Sequence, residues 1–329
     1  MAMTRREFAS RAVQGTLALA ALGAAPAEKP KPSGERPMLP AVDTHQHLWD
    51  LTRLRPPWLK GAGELNRSYV MKDYLEATAG LSVAKAVYME VDVAPEDKLA
   101  EAEYVVGLCQ RKDNPTCAAV IGARVADAGF KDYITRFKGS PYVKGVRQIF
   151  SREGQCLEDA FVKGIRLLGE LGLSFDICTA PALLADATKL VELCPETRFV
   201  VDHCGNINPM NLRPGGDRAA ADAWRRDMAR LAKAGDRIVC KLSGIVASLP
   251  RGKWSPDDLA PTINACIELF GPGRAIWASD WPVCTRGATL GEWLAAFREI
   301  ISPRPEPDQR KLLHDNAMRF YGLSKTSAA

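Results

Sequence analysis

The chain reads as an α/β protein built as a single (β/α)8 barrel, and three observations carry that expectation. Short apolar runs bounded by turn residues alternate with longer stretches of helical spacing, the pattern of parallel strands joined by crossover helices. Eight such runs follow one another, the strand number of a barrel that uses about 250 residues as one unit. No break in composition divides the 329 residues into two parts. A doubly wound sheet is the structural rival.

The strands are expected at 41–45, 83–91, 117–122, 143–149, 173–177, 198–201, 237–242 and 275–278. Helical spacing occupies 95–111, 157–171, 182–193, 218–234, 255–270 and 290–300 between them. The folded unit therefore spans 39–329, and residues 28–38, rich in Pro and Lys without periodicity, read as a linker or surface arm. Residues 1–27 read as a twin-arginine export signal. Arg5-Arg6 is followed by an apolar run from Val13 to Ala25 and by a small-residue cleavage site at Ala25-Pro26-Ala27. A periplasmic location is the corresponding expectation, and a frayed amphipathic terminus is the plain alternative.

With 47% hydrophobic and 25% charged residues the composition is that of an ordinary globular protein, which excludes disorder, collagen and coiled coil as descriptions of the whole. Arg5, Arg6, Arg11 and Glu7 lie in the expected signal, so the net charge falls from +5 to +3 on its removal, too little to argue for nucleic acid. The apolar run of the signal is too short to span a bilayer comfortably. A small molecule is the expected partner, with a homo-oligomer left open. The nine cysteines are odd in number and show no Cys-x-x-Cys spacing, so free, buried thiols are expected rather than a disulfide framework.

A barrel places its chemistry at the C-terminal ends of the strands, so the polar residues there are the candidates. His45 and His47 end the first strand in Asp43-Thr44-His45-Gln46-His47, and alternation points both imidazoles to one side, where they can meet one metal ion or one substrate atom. His203 follows the apolar strand Phe199-Val200-Val201, and only four histidines occur in the chain. Asp280, after Ile276-Trp277-Ala278-Ser279, faces the mouth beside the first strand; its ordinary alternative is a helix N-cap. Glu90 is a candidate metal ligand or imidazole partner, and Arg147 and Arg124 could clamp a carboxylate bidentately. Asp176 stands at a comparable strand end without an assignable role. Trp281, like Trp277, reads first as packing and then as a wall of a sugar-sized pocket. His314 lies in a helix-like terminal segment and reads as structural.

Asp43-Thr44-His45-Gln46-His47-Leu48-Trp49, Val201-Asp202-His203-Cys204-Gly205, Lys241-Leu242-Ser243-Gly244 and Ala278-Ser279-Asp280-Trp281-Pro282-Val283, with the tail Asn316 to Gly322, resemble the amidohydrolase-related family and, within it, the lactonase branch. The resemblance implies an active site of His45, His47, His203 and Asp280, with Asp280 and His203 catalytic and His45, His47 and Asp280 as metal ligands; Glu90 is a further candidate ligand from its strand-end position alone. Substrate contacts are expected from Arg147, Arg124, Lys241, Trp49 and Trp281, on their places at or beside the strand ends. One divalent metal, Zn2+, is the implied cofactor, although some lactonases of this branch act without one. Lys241 and Ser243 stand near the seventh strand where the wider superfamily offers a further histidine, which argues against a two-metal centre. The expected function is opening of a sugar-derived or related lactone by an activated water, and the alternative is decarboxylation or hydration of a small carboxylic acid. No Gly-x-Ser-x-Gly elbow is present, so a covalent acyl-enzyme is not expected.

Overall fold

The structure, a computed structural model, describes residues 38–324. The expected signal, and all of the expected arm except Met38, lie outside the described residues. Eight parallel strands form one sheet in sequence order: β1 (Ala41–Gln46), β2 (Val83–Met89), β3 (Thr116–Gly122), β4 (Val143–Arg147), β5 (Ser174–Ile177), β6 (Arg198–Val201), β7 (Ile238–Leu242) and β8 (Ala275–Trp277). The ends of that sheet meet through a parallel bridge between Gln46 and Trp281. Thr44 Oγ1 donates to the Trp277 carbonyl at 2.8 Å across the same seam. This is the (β/α)8 barrel that the alternating pattern predicts, and the doubly wound rival is set aside.

Helices α1 (Met71–Thr78), α2 (Lys98–Gln110), α3 (Phe130–Thr135), α4 (Asp159–Glu170), α5 (Leu184–Leu193), α6 (Arg218–Ala232), α7 (Pro256–Phe270) and α8 (Leu290–Ile301) connect and cover the strands. Helical spacing does not mark α1 or α3, which are only 8 and 6 residues long and carry little periodic signal. Two strands end two residues before their apolar runs do. Val91 and Ile149 extend the runs of β2 and β4 in sequence, but the chain has left the sheet there and both residues border the cavity at the mouth.

Two-residue alternation sorts each strand between the two apolar layers. Phe199 and Val201 of β6, and Ile238, Cys240 and Leu242 of β7, face the covering helices, whereas Val200 and Val239 face the barrel interior. The terminal segment closes the opposite end: Phe320, Tyr321 and Leu323 join the interior cluster, and Asn316 Nδ2 donates to the carbonyls of Pro272 and Ala275 at 2.7 and 2.9 Å. His314 lies in that segment and bonds to Asp315. The nine cysteines are free, and eight of them are buried. No helix among the described residues is long and apolar enough to cross a membrane.

Candidate active site

Four side chains meet at the C-terminal mouth. The Oδ1 atom of Asp280 lies 3.4 Å from His47 Nε2, 3.7 Å from His45 Nε2 and 4.0 Å from His203 Nε2. With His45 fully buried beside them, His47, His203 and Asp280 form the floor of a cavity of about 600 Å³. Its size suits a small ring with substituents.

Backbone geometry brings them there at some cost. Asp280 and His203 both hold left-handed backbone, with φ of 59° and 52°. For residues with a Cβ this conformation costs about 1–2 kcal/mol each, and it persists because neighbours over-determine it. For Asp280 the neighbour is Asp43. The Asp43 carboxylate accepts from Ser279 N at 2.8 Å, Ser279 Oγ at 2.5 Å and Tyr74 OH at 2.8 Å, tying the end of β8 to β1. For His203 it is Ser243, whose Oγ lies 2.9 Å from Nδ1, and Gly244 below the ring. A Cβ on Gly244 would sit 2.5 Å from the imidazole Cγ and Nδ1, on backbone at φ 72°. Gly244→Ala is therefore expected to push His203 out of place and lower kcat by about 10²-fold. A kcat equal to that of the parent would show that the ring position does not matter.

Beneath the floor lies a layer of buried charge. Lys241, fully buried on β7, places Nζ 2.6 Å from Asp176 Oδ2, 3.1 Å from Asp202 Oδ1 and 3.4 Å from His45 Nδ1. Burial opposes its charge, but Asp176 and Asp202 outweigh burial and hold the amine above its ordinary value. Asp202, buried with it, is held well below the usual carboxylate range by Lys241 and His45. Burial pushes the Asp176 carboxyl up to about 7 against the pull of Lys241. Burial, and then Lys241, drive His45 well below its ordinary value, and burial likewise lowers His203.

Hydrogen bonding sets the tautomers. His47 Nδ1 lies 2.9 Å from the Met89 carbonyl, which can only accept, so Nδ1 carries the proton and Nε2 presents its lone pair to Asp280. His45 faces Asp202 at 3.5 Å through Nδ1 and accepts from Arg147 Nη1 at 3.3 Å through Nε2. The Nε2 atoms of His47 and His45 thus converge on one Asp280 oxygen, and a cation there would take the His45 lone pair in place of Arg147. Ligands at about 2.1 Å in a tetrahedral shell stand about 3.4 Å apart. The 3.4 and 3.7 Å separations of His47 and His45 from Asp280 fit a divalent metal.

The other expected site residues lie elsewhere. Glu90 does not join His45, His47 and Asp280 as a ligand; its carboxylate takes Arg147 Nε at 2.7 Å and Asp92 N at 2.9 Å. Arg147 borders the cavity, but its guanidinium is engaged by Glu90, the Glu90 carbonyl and His45. Lys241 lies under the floor and does not line the cavity. Trp49 is fully buried, with Nε1 donating to the Arg67 carbonyl at 2.6 Å, and Trp281 packs edge-on to Tyr69 and Tyr74, so neither forms a wall. Arg124 is exposed beside a separate depression with Lys98 and Tyr133. Sequence reading gave no role to Asp202, Asp43 or Trp58. Asp202 could have been found from alternation, two residues beyond the inward-facing Val200; Trp58, on a 3-10 turn, carries no such signal.

A parallel barrel with three imidazoles and a carboxylate at its C-terminal mouth is the layout of a barrel enzyme. The amidohydrolase family matches residues 42–323, and the chain belongs to that family. It is 27% identical to an L-fucono-1,5-lactonase of Burkholderia multivorans over 299 residues, covering 88% of this chain and 98% of the relative. It is 25% identical to a 4-sulfomuconolactone hydrolase of Rhizobium radiobacter over 300 residues, covering 86% and 90%. A crystal structure of a zinc-bound amidohydrolase from Burkholderia multivorans superposes with a TM-score of 0.75 at 22% identity, covering 87% of this chain and all of that one, and shows the same fold.

Proposed function

We propose that this enzyme opens a lactone ring, with Asp280 taking a proton from the water that attacks the ester carbonyl. The observation that carries the reading is the single Asp280 oxygen on the cavity floor standing within 3.4–4.0 Å of three imidazole nitrogens. A general base so placed contributes about 10²–10⁴-fold to the rate. In this reading the Ser243 hydroxyl, 2.9 Å from His203 Nδ1, donates to it, so that Nε2 carries the proton and donates to the oxyanion as the carbonyl is attacked. Arg147, held by Glu90, keeps His45 from turning. The metal is Zn2+ in this reading, held by His45, His47 and Asp280; when bound it supplies Lewis-acid polarisation of the carbonyl and a more acidic water. The lactone-hydrolysing relatives support the reaction, and the zinc-bound neighbour supports the metal.

The test is acid release from a panel of lactones, followed with a pH indicator. One acid equivalent per ring without gas is the expected result; carbon dioxide release from a carboxylic acid, with every lactone inert, would replace the reading with decarboxylation. Changing His45 and His47 together to Asn is expected to lower bound metal from about one per chain to background by elemental analysis. Full retention would place the ligands elsewhere. Export belongs to the same proposal, and a chain beginning near residue 28 in the periplasmic fraction is its expected signature.

A further inference from the structure

We infer that the lactone taken by this site is poor in hydroxyl groups and carries one anionic substituent, held by Arg286 at the rim while Trp58 and Ile149 cover the apolar part of the ring. The inference rests on the lactone-hydrolysis reading and concerns what surrounds the reacting ester. Among the described residues six large hydrophobic side chains are left exposed, and two of them, Trp58 at 38% and Ile149 at 43%, border this one cavity. Trp58 is fixed in place: Nε1 donates to the Val91 carbonyl at 2.7 Å, and the ring packs edge-on to Trp49 with centroids 5.5 Å apart. A built aromatic wall with its one donor already used offers a ring face and nothing to a hydroxyl.

The polar side chains on the wall are similarly committed. Asn206 Nδ2 donates to the Thr179 carbonyl at 2.9 Å, and Ser248 Oγ donates to the Ile245 carbonyl at 2.7 Å. Arg147 spends three of its five N–H donors on Glu90 and His45. Val91, Ala247 and Val283 complete the wall. A ring bearing several hydroxyls would give up water for a surface with few donors left to answer it, and unpaired polar groups are costly to bury. Charge is the exception. Arg286 is exposed, lines the cavity, and makes no ion pair among the described residues, whereas Asp92, the acidic residue on the wall, faces Lys98 at 3.9 Å. A free guanidinium at the rim of an apolar pocket matches a carboxylate or sulfonate, which it can grip through two parallel hydrogen bonds.

The experiment compares three probes on the full chain: a butenolide acetate, its neutral methyl ester and galactonolactone. The parent is expected to favour the butenolide acetate over galactonolactone in kcat/KM by at least tenfold. Arg286→Ala is expected to cut the ratio of acetate to methyl ester at least tenfold, mainly through KM, and Arg286→Lys to restore part of it. Higher kcat/KM for galactonolactone, or an acetate-to-ester ratio unchanged in Arg286→Ala, would overturn the inference. If no lactone is turned over, the lactone reading fails on its own. Calorimetric binding of the butenolide acetate to parent and Arg286→Ala then decides the anion site, at least tenfold weaker binding to the variant upholding it and equal binding removing it.

Discussion

Asp280→Asn is expected to fold as the parent does and to lose about 10³-fold in kcat on any lactone the parent opens. The amide keeps the shape of the carboxylate, and the backbone at Asp280 is held by Asp43 through Ser279 rather than by the Asp280 side chain. What the substitution removes is, among the described residues, the only carboxylate oxygen that stands near all three imidazoles. Indicator assays of kcat, with thermal unfolding followed alongside, check both halves. Retained turnover in a folded variant would assign the base elsewhere, and Asp202, pinned by Lys241 below the floor, is too enclosed to replace it.

Lys241→Met is expected to destabilise the fold by about 3–5 kcal/mol, the usual consequence of removing one partner from a buried ion pair. The amine is wholly buried, and its loss leaves Asp202 charged with no cation nearer than Arg147 at 3.8 Å, and Asp176 with no hydrogen-bond donor. Changing Asp202 to Asn in the same chain is expected to recover part of that loss, because the uncompensated charge goes with it. Urea unfolding at pH 7 measures both variants. A Lys241→Met midpoint equal to that of the parent would mean that the charge is neutralised by something other than these two carboxylates.

The ion-pair layer is also where sequence reading and structure part company. His45, His47, His203 and Asp280 were legible because each follows an apolar strand, and the ends of barrel strands share one mouth whatever the details of packing. Val91 and Ile149 were read as the last residues of strands, since their side chains fit the apolar run, yet they are the apolar cavity lining. Lys241, Glu90 and Arg147 were all placed at strand ends, but their partners lie 65, 57 and 57 residues away in the chain. At such distances no local pattern tells whether a cation faces a ligand or a carboxylate. Trp49 and Trp281 illustrate the same limit: aromatic residues beside a catalytic motif serve equally well as wall or as core, and here Asp43 and the β1–β8 seam draw Trp281 inward onto Tyr69 and Tyr74.

The amino-acid order by itself determined the barrel, the order of its eight strands and the four residues at its mouth. Those follow from periodicity and turn chemistry, which act between near neighbours in the chain. Tertiary structure alone decided which charges are spent on one another, Glu90 on Arg147 and Lys241 on Asp176 and Asp202, and which are left for a ligand. Closing the barrel removes water from its interior, and in that low dielectric each buried charge takes the nearest opposite charge that the neighbouring strands supply.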